Sequence, residues 1–248
     1  MGLRFNAATR VYLLPCIAGH VGADAAGAVL AEAPQDSEEI TLLIDIGTNA
    51  EIILGNCHHL MAASSPTGPA FEGAQISSGQ RAAVGAIERV RINPNNYEPI
   101  YKVIGSDQWS DSADFLNEVK KTGLTGICGS GIIEIIAEMY LAGIISEDGV
   151  INGALSSKTK RIEKSGRTFC YKVTEQIAIT QADVRAIQLA KAALYAGFRL
   201  LMDKMGVEKV DKVILAGAFG THIEPKYAMI LGMVCLLYTS DAADDSLR

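Results

Sequence analysis

Three short apolar runs, at residues 40–45, 51–54 and 60–63, follow one another with only tight turns between them. Gly47, Asn49 and Gly55 stand in those turns, and both residue types favour turn conformations. Short runs rich in aliphatic residues and bounded by such turns are typical of β-strands. The sequence therefore predicts an antiparallel meander, and any fold assigned to the chain has to contain it.

The rest of the chain mixes helical and strand-like patterns. A helix is predicted from Gly129 to about Leu141, and a second begins at Thr180, which has capping-box spacing to Asp183, and ends at Gly206. Other predicted elements are a strand at residues 11–14, an Ala- and Gly-rich helix from about residue 21, an irregular segment at 64–79, a strand near 101–104 and a buried strand at 212–216 that leads into a glycine-rich turn. Strands, then helices, then a further strand predict a mixed fold of the α/β or α+β class.

The second long helix carries a row of small residues on one flank. These recur at helical spacing, and they are Ala186, Ala190, Ala193 and Gly197. Small side chains allow a neighbouring element to pack closely, and another helix is the expected neighbour. Transmission of a domain closure along this helix is an alternative role, and plain helix packing is the simpler one.

Composition excludes several classes of partner. The chain has 22 Lys and Arg residues against 28 Asp and Glu, a net charge of −6, and no basic run that would favour nucleic acid or anionic lipid. Its longest apolar stretch, residues 228–238, is shorter than the ~20 residues of a membrane-spanning helix. The five cysteines are scattered and form no Cys-x-x-Cys pair, which favours reduced thiols in a cytoplasmic protein and no zinc site.

The turn after the first meander strand is the first candidate site. The chain has neither a Walker-type phosphate loop nor a dinucleotide-binding Gly-x-Gly-x-x-Gly. Asp45 at the end of the strand could hold hydrated Mg²⁺, and Gly47, Thr48 and Asn49 could face phosphates. A simple hairpin turn explains the same residues, and on these alone it is the favoured interpretation.

Three further segments are candidates for the same ligand. Gly129, Ser130 and Gly131 open a helix, whose free amides suit an anion, although a loop capped by Ser130 is as common. The turn Gly217–Gly220 could lie against a base or ribose, or could serve packing alone. Residues 64–73, rich in Gly, Pro and hydroxyls, form either a ligand-wrapping loop with Glu72 as a base or magnesium-water ligand, or a structural loop. The lone polar residues are interpreted as structural groups, and they include His20, Asp24 and His222.

Four motifs in a fixed order resemble one family. They are Asp-Ile-Gly-Thr-Asn at 45–49, Gly-Pro-Ala-Phe-Glu-Gly at 68–73, Gly-Ile-Cys-Gly-Ser-Gly at 126–131 and Leu-Ala-Gly-Ala-Phe-Gly at 215–220. This order resembles the C-terminal domain of the reductive activators of corrinoid proteins (RACo-type), which belong to the superfamily of actin, sugar kinases and heat-shock chaperone ATPases. The likeness covers residues 11–234 and includes residues 78–88 and 183–195. It implies an RNase H-like subdomain, with a central mixed sheet flanked by helices.

The resemblance also implies a function. In such proteins an iron–sulfur domain supplies an electron to cob(II)alamin on a methyltransferase partner, and ATP use by the actin-like part supports reduction to cob(I)alamin. By motif match the catalytic residues would be Asp45, which binds Mg²⁺ through water, and Glu72. The nucleotide-binding residues would be Gly47, Thr48 and Asn49 at the phosphates, Gly217, Ala218, Phe219 and Gly220 at the adenosine, and Thr67, Gly68, Gly129, Ser130 and Gly131 at the cleft edge.

The chain departs from the family in ways that predict a fragment. It has one Asp-Gly-Thr-type loop where relatives have two, and no closely spaced cysteines, so a [2Fe–2S] cluster is expected only in a preceding region. The expected units are residues 1–36 from a preceding lobe, 37–234 as the ATP-binding domain, and 235–248 as a non-native tail. The tail resembles a translated sequencing adapter, where relatives continue with Pro-Asp.

These observations leave three functions open. The preferred one is the ATP-binding domain of a corrinoid-protein activator, inactive as a fragment, whose partners are ATP and the corrinoid protein of a methyltransferase system. The alternatives are a non-catalytic module that docks a corrinoid or methyltransferase protein, and a small-molecule phosphotransferase. No nucleic-acid or membrane partner is expected, and an exposed apolar face would favour a homodimer.

Overall fold

The computed structural model describes residue 6 and residues 8–220 and 222–234, without the side chains of Ala218 and Phe219. The predicted tail lies outside these residues. The strands are β1 (Thr41–Ile46), β2 (Ala50–Gly55), β3 (Leu60–Ser65), β4 (Ala86–Ile92), β5 (Pro99–Val103), β6 (Gly126–Ile127), β7 (Ile162–Ser165), β8 (Thr168–Lys172), β9 (Ala178–Thr180) and β10 (Lys212–Ala216). The α-helices are α1 (Ala23–Glu32), α2 (Phe115–Thr122), α3 (Gly129–Leu141), α4 (Gln181–Met205), α5 (Gly217–Gly220) and α6 (Pro225–Ile230), and short 3-10 helices occur at Pro34–Asp36 and Gly153–Ser157. This is the mixed α/β fold that the sequence predicts.

The predicted meander is confirmed as the centre of a four-stranded sheet. The strand order is β10-β1-β2-β3, with β1, β2 and β3 antiparallel and β10 parallel to β1. Asp45 lies opposite Ala216 of β10 on one side and opposite Glu51 of β2 on the other. The parallel pairing brings the turn after β1 and the segment after β10 to the same edge of the sheet.

The two faces of this sheet are buried against different layers. Leu42 and Ile44 belong to the main hydrophobic core, whereas Leu43 faces a smaller cluster that α1 covers. This alternation follows from the two-residue period of a strand. The sheet is therefore sandwiched between α1 and the main body of the protein.

Helix α4 packs on the main-core face of the sheet. Ser65 Oγ donates a 2.6 Å hydrogen bond to the Ala193 carbonyl, and a methyl group at Gly197 would come within 2.6 Å of Ile52 Cδ1. The row of small residues thus admits strands β2 and β3, and the expectation of a neighbouring helix there is wrong. The predicted capping box is confirmed, because Thr180 and Asp183 exchange side chain–backbone hydrogen bonds at the start of the helix.

A second sheet, β5-β4-β6, carries α3. Helix α3 is buried from Gly129 through Met139, as its almost uniformly apolar sequence requires. Strand β4 escaped the sequence analysis because its pairing with β5 shifts register between Ile87 and Arg89, so Ile87, Val90 and Ile92 do not keep a two-residue period. A third sheet, β7-β8-β9, lies beside the start of α4.

Three predicted elements need correction. Residues 11–14 form no strand, and Val11, Tyr12 and Leu13 are exposed because no strand among the described residues pairs with them. The strand at residues 212–216 is present, but it is only partly buried because it lies at the edge of the described sheet. The segment after it forms the single helical turn α5 and not an open turn.

Candidate functional site

The turn after β1 is tied to the irregular segment that follows β3. Within the turn, the Gly47 amide donates a 2.9 Å hydrogen bond to the Asn49 carbonyl. Thr67 Oγ1 lies 3.2 Å from the Gly47 carbonyl and 3.3 Å from the Thr48 carbonyl, and Thr48 Oγ1 donates to Glu72 Oε1 at 3.0 Å. Four predicted site residues, Gly47, Thr48, Thr67 and Glu72, are therefore in direct contact.

A cleft of about 650 Å³ opens beside this turn. Its lining comes from the ends of β1 and β5, the segment before β4, β4 itself, the start of α3 and the segment after α5. The lining residues are Ile46, Glu72, Arg81, Ala82, Glu88, Ile104, Cys128, Gly129, Ser130 and His222. The volume lies within the range of about 300–1,000 Å³ usual for small-molecule sites. The structure thus brings Glu72, Gly129 and Ser130 to one concave surface, next to the turn that carries Thr48.

The start of α3 is held against β4. The Cys128 amide donates to the Ile87 carbonyl at 3.0 Å, and Ser130 Oγ donates to the Glu88 carbonyl at 3.3 Å. Cys128 is the N-cap residue, and Ser130 lies within the first turn of α3 with its hydroxyl bonded to β4, so Ser130 does not cap a flexible loop. A methyl group at Gly131 would clash with the Ile87 carbonyl, which means that close packing of α3 on β4 requires glycine there. Gly131 lies beneath the cleft and does not line it.

Asp45 lies in an acidic environment at the end of β1. Burial raises its pKa above the ordinary value, and the nearby charge of Asp24 raises it further. The pKa of Glu51 is also raised, first by burial, although a hydrogen bond from Ser64 opposes the shift. Asp45 does not itself line the cleft; its neighbour Ile46 does.

Gly217 is placed directly beside Asp45. Its φ of 78° lies in the left-handed region, and a methyl group there would clash with Asp45 Oδ1. The parallel pairing of β1 and β10 therefore brings the first and last of the four motifs together. Because the motifs are some 170 residues apart, this contact is a property of the sheet order.

Some predicted residues lie away from the cleft. Gly68 is near the side chain of Gln75, Gly220 is buried against Leu215 and lines a separate cavity along the outer edge of β10, and Asn49 is exposed at the turn. The side chains of Ala218 and Phe219 are not described, so their predicted adenosine contacts remain predictions.

The sequence analysis missed other lining residues. Arg81 and Glu88 fall in the segment 78–88 that the resemblance already included, and that inclusion was the available signal. His222 was interpreted as a structural group, but it is exposed and lines the cleft. No local pattern marks it, since its place there depends on how the segment after α5 lies against β4.

The described residues contain neither a metal-ligand cluster nor a helix that could cross a membrane. In the part of the chain that the structure describes, no group of three or more His, Cys, Asp or Glu side chains is arranged to hold a metal ion. The described cysteines, Cys16, Cys57, Cys128 and Cys170, are free thiols. Within residues 8–220 and 222–234, no helix combines the length and the apolar character needed to cross a membrane.

Comparison with known proteins identifies the family. Residues 39–242 match the sequence profile described as the C-terminal domain of RACo, the ASKHA domain. The chain is 36% identical over 247 residues to the corrinoid activation enzyme RamQ of Eubacterium limosum, covering 94% of this chain and 38% of that protein. It is 27% identical over 241 residues to the [Co(II) methylated amine-specific corrinoid protein] reductase of Methanosarcina barkeri, covering 93% of this chain and 41% of that protein.

A solved structure agrees with these matches. A reductive activator for corrinoid, iron–sulfur protein superposes with a TM-score of 0.77 at 35% sequence identity, covering 90% of this chain and 34% of that one. The chain thus spans about two fifths of the length of its curated relatives. With the profile matching most of its length, the chain belongs to the RACo C-terminal ASKHA domain family.

Proposed function

We propose that this chain is the ATP-binding domain of a reductive activator that returns the cob(II)alamin of a corrinoid methyltransferase protein to cob(I)alamin. The observation that carries the proposal is the cleft, where the end of β1, Glu72 and the start of α3 meet. Its size suits a nucleotide, and phosphate groups are recognised in other folds by similar turns and helix starts. The relatives' names support corrinoid activation as the process served.

The residues present fit a magnesium nucleotide. Mg²⁺ typically uses one or two carboxylates, and takes its remaining ligands from water and phosphate oxygens. Asp45, which lies beside Gly217 and does not line the cleft, would hold the ion through water. Thr48, whose hydroxyl donates to Glu72, would face the phosphates together with those amides of the turn that remain free, since the Gly47 amide already donates to the Asn49 carbonyl. When bound, ATP would supply the free energy for an otherwise uphill reduction.

The iron–sulfur cluster of such activators does not fit the described residues. Cys128 and Cys170 are buried on separate elements, and Cys16 and Cys57 are exposed and distant in sequence. No group of three or more metal-ligating side chains occurs among the described residues. We therefore assign electron delivery to another part of a longer protein, and nucleotide binding to this chain.

Isothermal titration with Mg-ATP tests the proposal. The unaltered protein is compared with Asp45→Ala and with Asp107→Ala, a control whose carboxylate is fully exposed outside the cleft. Loss of a contact to a charged group is worth about 1.5–3 kcal/mol, so Asp45→Ala should weaken binding roughly 10- to 100-fold. In EDTA the difference should shrink, because Asp45 acts through the cation. Equal affinity in all three proteins, or no binding at all, would contradict the proposal.

A docking module that binds no nucleotide makes the opposite prediction. In a pull-down with a purified corrinoid protein, our proposal predicts that the amount captured changes between ATP and ADP. Capture that is identical with ATP, ADP and no nucleotide would favour the docking module.

A further inference from the structure

The cleft is lined by more acidic than permanently basic groups. Glu72 and Glu88 both line it, against Arg81 as the one arginine of the lining. A polyphosphate entering such a surface is repelled unless a cation offsets these charges. A bound metal ion would offset part of this negative charge, and a side-chain cation would offset the remainder.

The arginines of β4 are already engaged. Arg89 Nη1 and Arg91 Nη1 each lie 2.6 Å from a carboxylate oxygen of the buried Glu134. Arg91 also pairs with Glu224 at 3.2 Å, and its guanidinium lies 4.9 Å from the ring centre of Tyr227. Moving either arginine into the cleft would take one of its two ion-pair partners from a buried carboxylate, which is costly.

Arg81 is in the opposite situation. It lines the cleft, it is exposed, and among the described residues none forms an ion pair or hydrogen bond with its side chain. No lysine lines the cleft in the part of the chain that the structure describes, and His222 is the only other basic side chain in the lining. Arg81 is therefore the permanent cation available to a ligand there.

The backbone that carries Arg81 is fixed next to the start of α3. The Gln80 amide donates to the Ile127 carbonyl at 2.9 Å, and the Ile127 amide donates to the Ser78 carbonyl at 2.8 Å. Gly79 forms a parallel bridge with Ile127, two residues before Gly129. Arg81 thus projects from a paired segment, while its long side chain stays free to move toward a ligand.

We infer that Arg81 binds the polyphosphate of the nucleotide, as the side-chain cation that offsets the acidic lining of the cleft. The inference rests on the proposed function for the identity of the ligand as a nucleotide. Arginine suits this role because its planar guanidinium donates two parallel hydrogen bonds to phosphate oxygens. Adenosine carries no phosphate, so its affinity is expected not to depend on Arg81.

The test uses isothermal titration of the 248-residue protein with three probes: Mg-ATP, adenosine and inorganic tripolyphosphate. Arg81→Gln should weaken binding of Mg-ATP and of tripolyphosphate about tenfold or more, the loss expected for one charge-assisted contact, and leave adenosine affinity unchanged. Arg81→Lys should fall between, because an ammonium is a point charge. Arg167→Gln, an exposed arginine in the β7–β8 turn, is the matched control and should change nothing.

The outcomes separate this inference from the proposed function. If Mg-ATP and adenosine bind but Arg81→Gln leaves Mg-ATP and tripolyphosphate affinity unchanged, Arg81 is not a phosphate contact and the proposed function stands. An equal loss of adenosine affinity would also overturn the inference. If tripolyphosphate alone binds, and does so through Arg81, the anion contact stands and the ATP assignment fails. If no probe binds, both fail.

Discussion

Removal of the Glu134 carboxylate tests how the cleft walls are held together. Glu134 is 1% exposed, and its carboxylate accepts hydrogen bonds from Arg89 and Arg91 at 2.6 Å and from the Val90 amide at 3.0 Å. Because Arg91 also pairs with Glu224 just before α6, this carboxylate links α3, β4 and the segment that carries His222. The variant is Glu134→Ala.

The expected loss is about 3 kcal/mol of unfolding free energy. Breaking a buried ion pair by removing one partner costs about 3–5 kcal/mol. Arg89 and Arg91 are each about a third exposed, so water compensates them in part and lowers that figure. The buried Val90 amide loses its acceptor as well, at about 1–3 kcal/mol. Glu134→Gln retains an acceptor for Val90 and should lose less.

Equilibrium urea unfolding measures the difference. The matched control is Glu98→Ala, which removes an Arg161 partner at a similar distance of 2.6 Å, but with a carboxylate side chain that is 51% exposed. Exposed pairs contribute about 0–1 kcal/mol, so the control should change stability little. Equal losses for Glu134→Ala and Glu98→Ala would refute the reasoning, since burial would then make no difference.

Two further predictions concern single residues. Asp45→Asn should raise the free energy of unfolding at pH 7, because burial and the charge of Asp24 raise the pKa of Asp45 and so disfavour its charged form in the folded state. That gain should shrink as the pH falls through the raised pKa, because Asp45 then takes up a proton. Denaturant titrations at pH 7 and pH 4 measure it, and the same difference in unfolding free energy between variant and unaltered protein at both pH values would contradict the prediction. Thr180→Ala should lower the free energy of unfolding by about 1 kcal/mol through loss of the capping box, measured by urea unfolding. Thr168→Ala on the exposed hairpin serves as its control and should stay within about 0.5 kcal/mol of the unaltered protein.

Elements that depend on local pattern were predictable from the sequence. The meander, α3 and α4 with its capping box are confirmed, because turn residues, helical spacing and a four-residue cap act over short stretches of chain. The predicted strand at residues 11–14 is wrong because a strand also needs a partner that local pattern does not supply. Its β-branched and aromatic residues favour a strand, but in the described part of the chain no strand pairs with them.

The family was also visible in the sequence, because the order of four short motifs is more specific than any one of them. Their meeting point was not visible. Gly217 lies beside Asp45 only because β10 pairs parallel to β1, and Thr48 meets Glu72 only because the segment after β3 folds back on the turn.

The residue types thus determined which elements form, since these depend on neighbours in sequence, and the order of the four motifs determined the family. Tertiary structure alone decided which side chains share the cleft. Arg81 and His222 reach it through backbone pairings and packing between distant segments, whereas Glu134 engages Arg89 and Arg91. Contacts of this kind leave no periodic signal in the sequence, because the segments that make them are joined only when the chain is folded.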